Sequence, residues 1–248
     1  MERIIGQIPS WHASAVRRAE IIQLRPGIKT LFPPILVEAN HESGGQFLEP
    51  NTVPATGATV RVVAYEGMAQ GQRIELTWSG KVNYVASLDV VEGGRYLDFI
   101  VPRQIVVDNS AAGSIGYCDI SYTVMRGGNI EISPLSRIGI VEESAVNPAP
   151  IVPQAVNGEF NPNDIPEPGL RIEYELEVNW GAFWISYGRD GRVIASVSFG
   201  VVEGERFVYM WRVMLDQTEP GGEVRTNYVA RNKDGVFCQS LHAVLHVI

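Results

Sequence analysis

The chain has 248 residues, 45% of them hydrophobic, which is too apolar for a disordered chain and long enough for two domains of about 100 residues each. Twenty Lys and Arg against 28 Asp and Glu leave a formal charge of −8, which argues against phosphate-driven nucleic-acid binding. Twenty-five glycines and 15 prolines without a collagen period favour many short turns over long helices.

Two cysteines cannot form a disulfide scaffold, so stability must come from packed cores. In residues 1–30, Arg17, Arg18 and Glu20 interrupt every apolar run, so no Sec signal peptide is expected. The compartment stays open between the cytoplasm and export by a route without such a signal. No stretch has the length of a membrane-spanning helix. This N-terminal arm carries five basic and two acidic groups, against seven and thirteen in residues 31–147 and eight and thirteen in 148–248. Its sign is complementary to both bodies, and docking onto one of them is expected.

Taken in chain order, the segments after the arm repeat themselves. Pro34-Ile35-Leu36-Val37-Glu38-Ala39 recurs as Pro150-Ile151-Val152-Pro153-Gln154-Ala155. Arg73–Gly80 alternates Ile74, Leu76 and Trp78 with Glu75 and Thr77, the period of a strand. It is matched here to Phe183-Trp184-Ile185-Ser186-Tyr187. Val90–Tyr96 recurs as Val201–Phe207, and Tyr117–Met125 again alternates, with Tyr122 matched to Tyr228 and Leu135 to Leu241. The offsets are 116, 109, 111, 106 and 106 residues and the order never breaks. Gly127-Gly128-Asn129, Asp190-Gly191 and Asp234-Gly235 supply turns between the strands. The reading is all-β: two tandem immunoglobulin-like β-sandwich domains, 31–147 and a diverged 148–248, behind a short N-terminal arm, 1–30. A barrel satisfies the same periodicity. In this reading Trp78 is the buried aromatic of the third strand and Tyr187 its counterpart.

The first copy resembles the immunoglobulin-like repeats of large bacterial surface and adhesin-type proteins. The resemblance rests on Gly71 to Trp78, Val101-Pro102 and the hairpin Tyr122 to Gly128. It covers residues 31–141 well and 148–248 weakly, where Arg212-Val213 stands for Val-Pro. It implies a spacing or adhesion role and no catalytic residues.

The chain contains no Walker loop, HExxH, GxSxG or paired CxxC. His242 and His246 on one probable strand would stand about 13 Å apart, too far for one zinc. Cys118 and Cys238 fall on non-equivalent strands of different copies, so no disulfide between them is expected. Asn161-Pro162-Asn163-Asp164 with Glu167 offers oxygen ligands, but the plainer reading is a capped turn. No cofactor is expected. The second copy, however, holds Trp180, Phe183, Trp184, Tyr187, Phe207, Tyr209 and Trp211 within 32 residues. If Phe183, Ile185 and Tyr187 face the core, Trp180 and Trp184 face outward, and Phe207, Tyr209 and Trp211 share the face opposite Val208 and Met210. Trp180, Trp184, Tyr209 and Trp211 are therefore the expected ligand or interface residues. The partner would be a protein or cell-surface ligand, a glycan or a second subunit. Three functions fit: a non-catalytic interaction or structural protein, a secreted toxin-like effector binding a host-cell target, or a carbohydrate-binding protein.

Overall fold

The computed structural model describes residues 31–42, 45–111, 115–141, 147–175, 178–200, 206–231 and 237–248. The N-terminal arm, its docking and the Val201–Glu205 match lie outside them. Short apolar-alternating segments separated by glycine and proline turns give the chain its strands. In the first half these are β1 (Ile35–Leu36), β2 (Asn40–Glu42), β3 (Gly45–Leu48), β4 (Ala58–Val62), β5 (Arg73–Ser79), β6 (Tyr84–Asp89), β7 (Leu97–Val101), β8 (Gly116–Arg126), β9 (Asn129–Ile132) and β10 (Ser136–Ile140). A short helix, Arg103–Asn109, joins β7 to β8. The second half adds β11 (Glu159–Phe160), β12 (Gly169–Glu173), β13 (Val178–Tyr187), β14 (Val193–Gly200), β15 (Phe207–Trp211), β16 (Glu223–Arg231), β17 (Phe237–Gln239) and β18 (Ala243–Val247).

Each half is two sheets closed over one core. In the first, β1-β4-β7 faces β2-β3-β10-β8-β5-β6, with β9 paired to β8. In the second, β12-β15 faces β11-β18-β16-β13-β14, with β17 paired to β16. Apart from β1 and β2, which have no counterpart strand in the second half, the order is shared, down to a parallel pairing at one end of the large sheet: β3 on β10, β11 on β18. This is an immunoglobulin-like sandwich order, and the barrel is excluded by the two separate sheets. Leu36, Val60 and Phe99 from one sheet meet Leu76, Trp78, Ile120 and Tyr122 from the other. Leu170, Ile172 and Met210 meet Trp184, Val224, Tyr228 and Leu245.

The backbone pairing fixes which residues correspond. Tyr122 and Tyr228 each donate their N–H to a serine Oγ, Ser133 and Ser240, at 3.0 Å. Each serine hydroxyl then donates to the next carbonyl, Pro134 O and Leu241 O. From these anchors, Leu76 lies opposite Tyr122 and Trp78 opposite Ile120, while Ala182 lies opposite Tyr228 and Trp184 opposite Thr226. The counterpart of Trp78 is therefore Trp184, not Tyr187. Both indoles are fully buried. The sequence match of this strand was three residues out of phase, and an odd shift turns every side chain to the other face. The same frame puts Ser133 over Ser240, so Leu241 stands at Pro134 and not at Leu135.

A stronger repeat runs through the loop before β4 and β12. Pro50-Asn51-Thr52-Val53-Pro54 and Pro162-Asn163-Asp164-Ile165-Pro166 each hold one 3-10 turn, Pro50–Thr52 and Pro162–Asp164. Each is followed by a glycine with positive φ, Gly57 at +123° and Gly169 at +137°. A Cβ there would run into the carbonyl oxygen of the facing strand, Val101 O or Met210 O. Asn161 caps its turn by accepting the Asn163 N–H at 3.0 Å, so this segment is the capped turn. After β7 and β15 a short helix follows Pro102 in one half and Trp211 in the other. Met210-Trp211, not Arg212-Val213, occupies the place of Val101-Pro102.

Candidate functional site

The aromatic excess of the second half divides among three environments. Trp184 sits in the core against Phe160, ring centroids 6.4 Å apart, which corrects its expected place on the surface. From Ala182 to Ile185 strand β13 is apolar at every position, and both of its faces are covered there. Ala182 and Trp184 fill the sandwich, while Phe183, Ile185 and Tyr187 lie outside that cluster and are still buried.

The cover over the Tyr187 end is the first half. Arg61, on the outer face of β4, is 2% exposed. Its guanidinium makes a two-pronged bond to Asp98 at 2.9 Å on each arm. It lies 3.9 Å over the Tyr96 ring and 5.3 Å from the Tyr187 ring. Across the junction Arg61 Nη1 is 3.9 Å from Glu223 Oε1, and Arg225 Nη1 is 3.9 Å from Glu38 Oε1. Burial alone would lower the Arg61 pKa; the bonds to Asp98 and the nearby Glu223 carboxylate more than offset this and hold it above the usual range. Two more hydrogen bonds cross, one within the backbone from Ala64 N–H to Asp190 O at 3.1 Å and one from the Gln239 backbone N–H to the Glu49 carboxylate Oε2 at 3.1 Å. The large sheet of the second half thus lies on the small sheet of the first.

The third environment is an open aromatic row. Phe207, Tyr209 and Trp211 alternate on β15 and point away from the core that takes Val208 and Met210. Phe207 is 40% and Trp211 42% exposed, with Tyr209 half-buried between them. Gly169, Arg171 and Glu173 lie opposite on β12. Arg171 sits 4.3 Å over the Phe207 ring and pairs with Glu173 at 2.9 Å; Phe207 and Tyr209 meet edge to face at 5.6 Å. A guanidinium stacked on an aromatic face, beside two amphipathic rings with polar tips, is the chemistry of recognition surfaces. Tyr209 and Trp211 thus belong to one surface, Trp184 does not, and the Trp180 side chain is outside the described residues. Arg171 was not foreseen, because only the pairing of β12 with β15 brings it beside this row.

Elsewhere the geometry offers little chemistry. An open cleft of about 670 Å³ lies between Glu92–Arg95 of the first half and Arg189–Ile194 with Glu219–Gly221 of the second. Its Arg95 is paired with Glu92 at 3.3 Å and its Arg192 with Asp190, so its charges are balanced. Cys118 is a free thiol in the first core, and burial pushes its pKa up to about 12. Cys238 lies on β17, a short strand before the last. His242 precedes β18 rather than sharing it with His246. Among the described residues, no group of three or more His, Cys, Asp or Glu could hold a metal ion, and no helix is long and apolar enough to cross a membrane.

No family model matches the chain, and no curated protein matches it. Among solved structures it is similar to a tetra-tandem repeat from the extending region of a large adhesion protein, at 13% identity and a TM-score of 0.25 over 78% of this chain and 47% of that one. It is also similar to a two-domain fibronectin type-III segment of chicken tenascin, at 12% identity and a TM-score of 0.25, covering 78% and 94%. A third is dimeric latent PorU from Porphyromonas gingivalis, at 16% identity and a TM-score of 0.25, covering 90% of this chain and 21% of that one. The chain therefore spans about half of the first and a fifth of the third. Likeness at this level says nothing about what the chain does.

Proposed function

We propose that the chain is a non-catalytic binding protein built of two immunoglobulin-like domains, 31–147 and 148–248, which engages a protein or cell-surface ligand through the row Phe207, Tyr209 and Trp211. The single observation behind this reading is that row: two large aromatics 40% and 42% exposed, one residue apart from the ring between them, on a sheet face that also carries Arg171. Scattered exposed apolar residues need no explanation, whereas an aligned aromatic row does. Trp and Tyr bury large area with few rotors, which makes them the commonest anchors of interfaces. The same row would also stack on the flat faces of a sugar, which keeps a glycan as the second ligand class.

The experiment is a cell-binding assay and a glycan array run on the wild type and on Tyr209→Ser/Trp211→Ala. Binding that falls at least tenfold in the double variant, with thermal stability kept, supports the reading. Equal binding by both proteins places the ligand elsewhere. Release of a trapped dye from target cells would instead favour a toxin-like effector.

A further inference from the structure

We propose that the open aromatic face takes a second copy of this chain, head to tail, through a repeat of the contact that already joins the two halves. The proposal deepens the reading above, since it names the partner of the same surface.

The argument starts from the repeat. Each half has a small-sheet outer face and a large-sheet outer face. Inside the chain, the large sheet of the second half covers the small sheet of the first, burying Arg61 and Glu38 to 2% and 3% exposure. Among the described residues, one face of each kind is left over. The small-sheet face of the second half carries Glu173 and Phe207 at the places held by Arg61 and Asp98, because Glu173 pairs with Phe207 as Arg61 pairs with Asp98. The large-sheet face of the first half carries Tyr117, Met125, Ile130 and Ile132, which are 58%, 63%, 68% and 67% exposed. Met125 pairs with Ile130, and Ile132 with Thr123, so the last three apolar groups share that face.

The two leftover faces also match at the positions that make the existing contact. The pair Glu223 and Arg61 becomes Tyr117 and Glu173, a phenol that can donate to a carboxylate. The pair Arg225 and Glu38 becomes Asp119 and Gln154; Asp119 is already held by Arg137 at 2.8 and 2.9 Å, and its remaining lone pairs can accept from the amide. Glu38 and Gln154 are equivalent in detail: each accepts a backbone N–H from the neighbouring strand, Thr59 at 2.8 Å and Arg171 at 3.2 Å. Gln239, whose N–H reaches Glu49 across the existing contact, corresponds to Ile132 on the open face, since each pairs with the matching position of the neighbouring long strand. Where the internal contact uses charge, the external one uses aromatic and aliphatic surface. Such a contact joins unlike faces, so it does not close on a two-fold axis and adds subunits head to tail, as a ring or as an open row.

The test is sedimentation of the full chain over a concentration series, with two variants that each spoil one face. Phe207→Ser/Tyr209→Ser breaks the aromatic face; Ile130→Lys/Ile132→Lys breaks the other, at four exposed or half-buried positions. The wild type should grow past dimer as concentration rises. Each variant alone should stay monomeric, and an equal mixture of the two should form dimers and stop there, because each still offers the face the other lacks. Unchanged thermal unfolding in both variants confirms that the fold is kept. A wild type monomeric throughout, or variants that do not rescue each other, overturns the proposal. A monomeric wild type whose glycan or cell binding still depends on Tyr209 and Trp211 would overturn this proposal alone and leave the broader reading standing.

Discussion

Trp184 and Trp211 lie in the same half and have opposite fates, and the difference is set by register. Trp184 is fully buried and Trp211 is 42% exposed. Trp184→Ala should therefore cost about 3–5 kcal/mol, like Trp78→Ala, the usual range for emptying a large core site. Trp211→Ala should cost less than about 1 kcal/mol. Denaturant unfolding of the three variants separates them, and a small loss at Trp184 would contradict the register. Glu38 makes a second residue-scale prediction. Burial raises its carboxyl pKa, opposed by the Thr59 N–H and by Arg225. A raised pKa means the folded state holds the proton more tightly than the unfolded chain. The stabilisation this gives is complete below the ordinary glutamate value and is lost as pH rises through the raised one. At neutral pH the buried carboxylate is therefore unfavourable, and Gln154 shows that an amide can accept the same backbone bond. Glu38→Gln should raise Tm at pH 7.5, with the gain shrinking toward pH 4. A lower Tm at pH 7.5 would mean that the contact with Arg225 dominates.

At the scale of elements, the fold was legible wherever a strand has one buried face. The alternation of β5 and β8 gave both their type and their inward residues; β15 is apolar on both faces, so alternation separated its two faces and the packing of Val208 and Met210 into the core decides between them. Alternation does not settle β13, because from Gly181 to Tyr187 it is buried on both sides. With apolar residues at every position from Ala182 to Ile185, period two cannot choose a face, and the alignment slipped by three. The signal that would have fixed it was present. Pro-Asn-x-x-Pro-x-x-Gly occurs at Pro50–Gly57 and Pro162–Gly169 and marks the entry to the same strand in each half. Its glycines are required by backbone geometry. Alanine at Gly57 or Gly169 would carry a Cβ into the facing carbonyl at a φ that L-residues avoid, and should cost about 2 kcal/mol or more. Equal losses at the two sites in thermal unfolding would agree with the repeat; a neutral change at either would oppose it. The open face was half legible: Tyr209 and Trp211 follow from alternation, but Arg171 needs the pairing of β12 with β15.

For the whole molecule, the sequence suggested two sandwiches and gave no means of placing them. The Pro-rich linker Asn147–Pro150 fits an extended pair as well as a stacked one. What decides the arrangement is a few side chains far apart in sequence: Arg61 with Asp98, Glu223 and Tyr187, and Glu38 with Arg225. An arginine on the outer face of a small sheet would ordinarily be read as solvated. Only the second half, closing over it, makes it one of the most buried charged groups described. Stacking also explains why one aromatic row is left open while the corresponding face of the first half is covered. The most direct test of stacking is the distance between spin labels at Arg95→Cys and Arg189→Cys, in a Cys238→Ser background, since these two positions line the same cleft from opposite halves. Stacked halves give one narrow, short-distance population in dilute solution. A broad distribution centred at long distance would mean that the two sandwiches move as separate bodies, and would contradict the arrangement from which the open face follows.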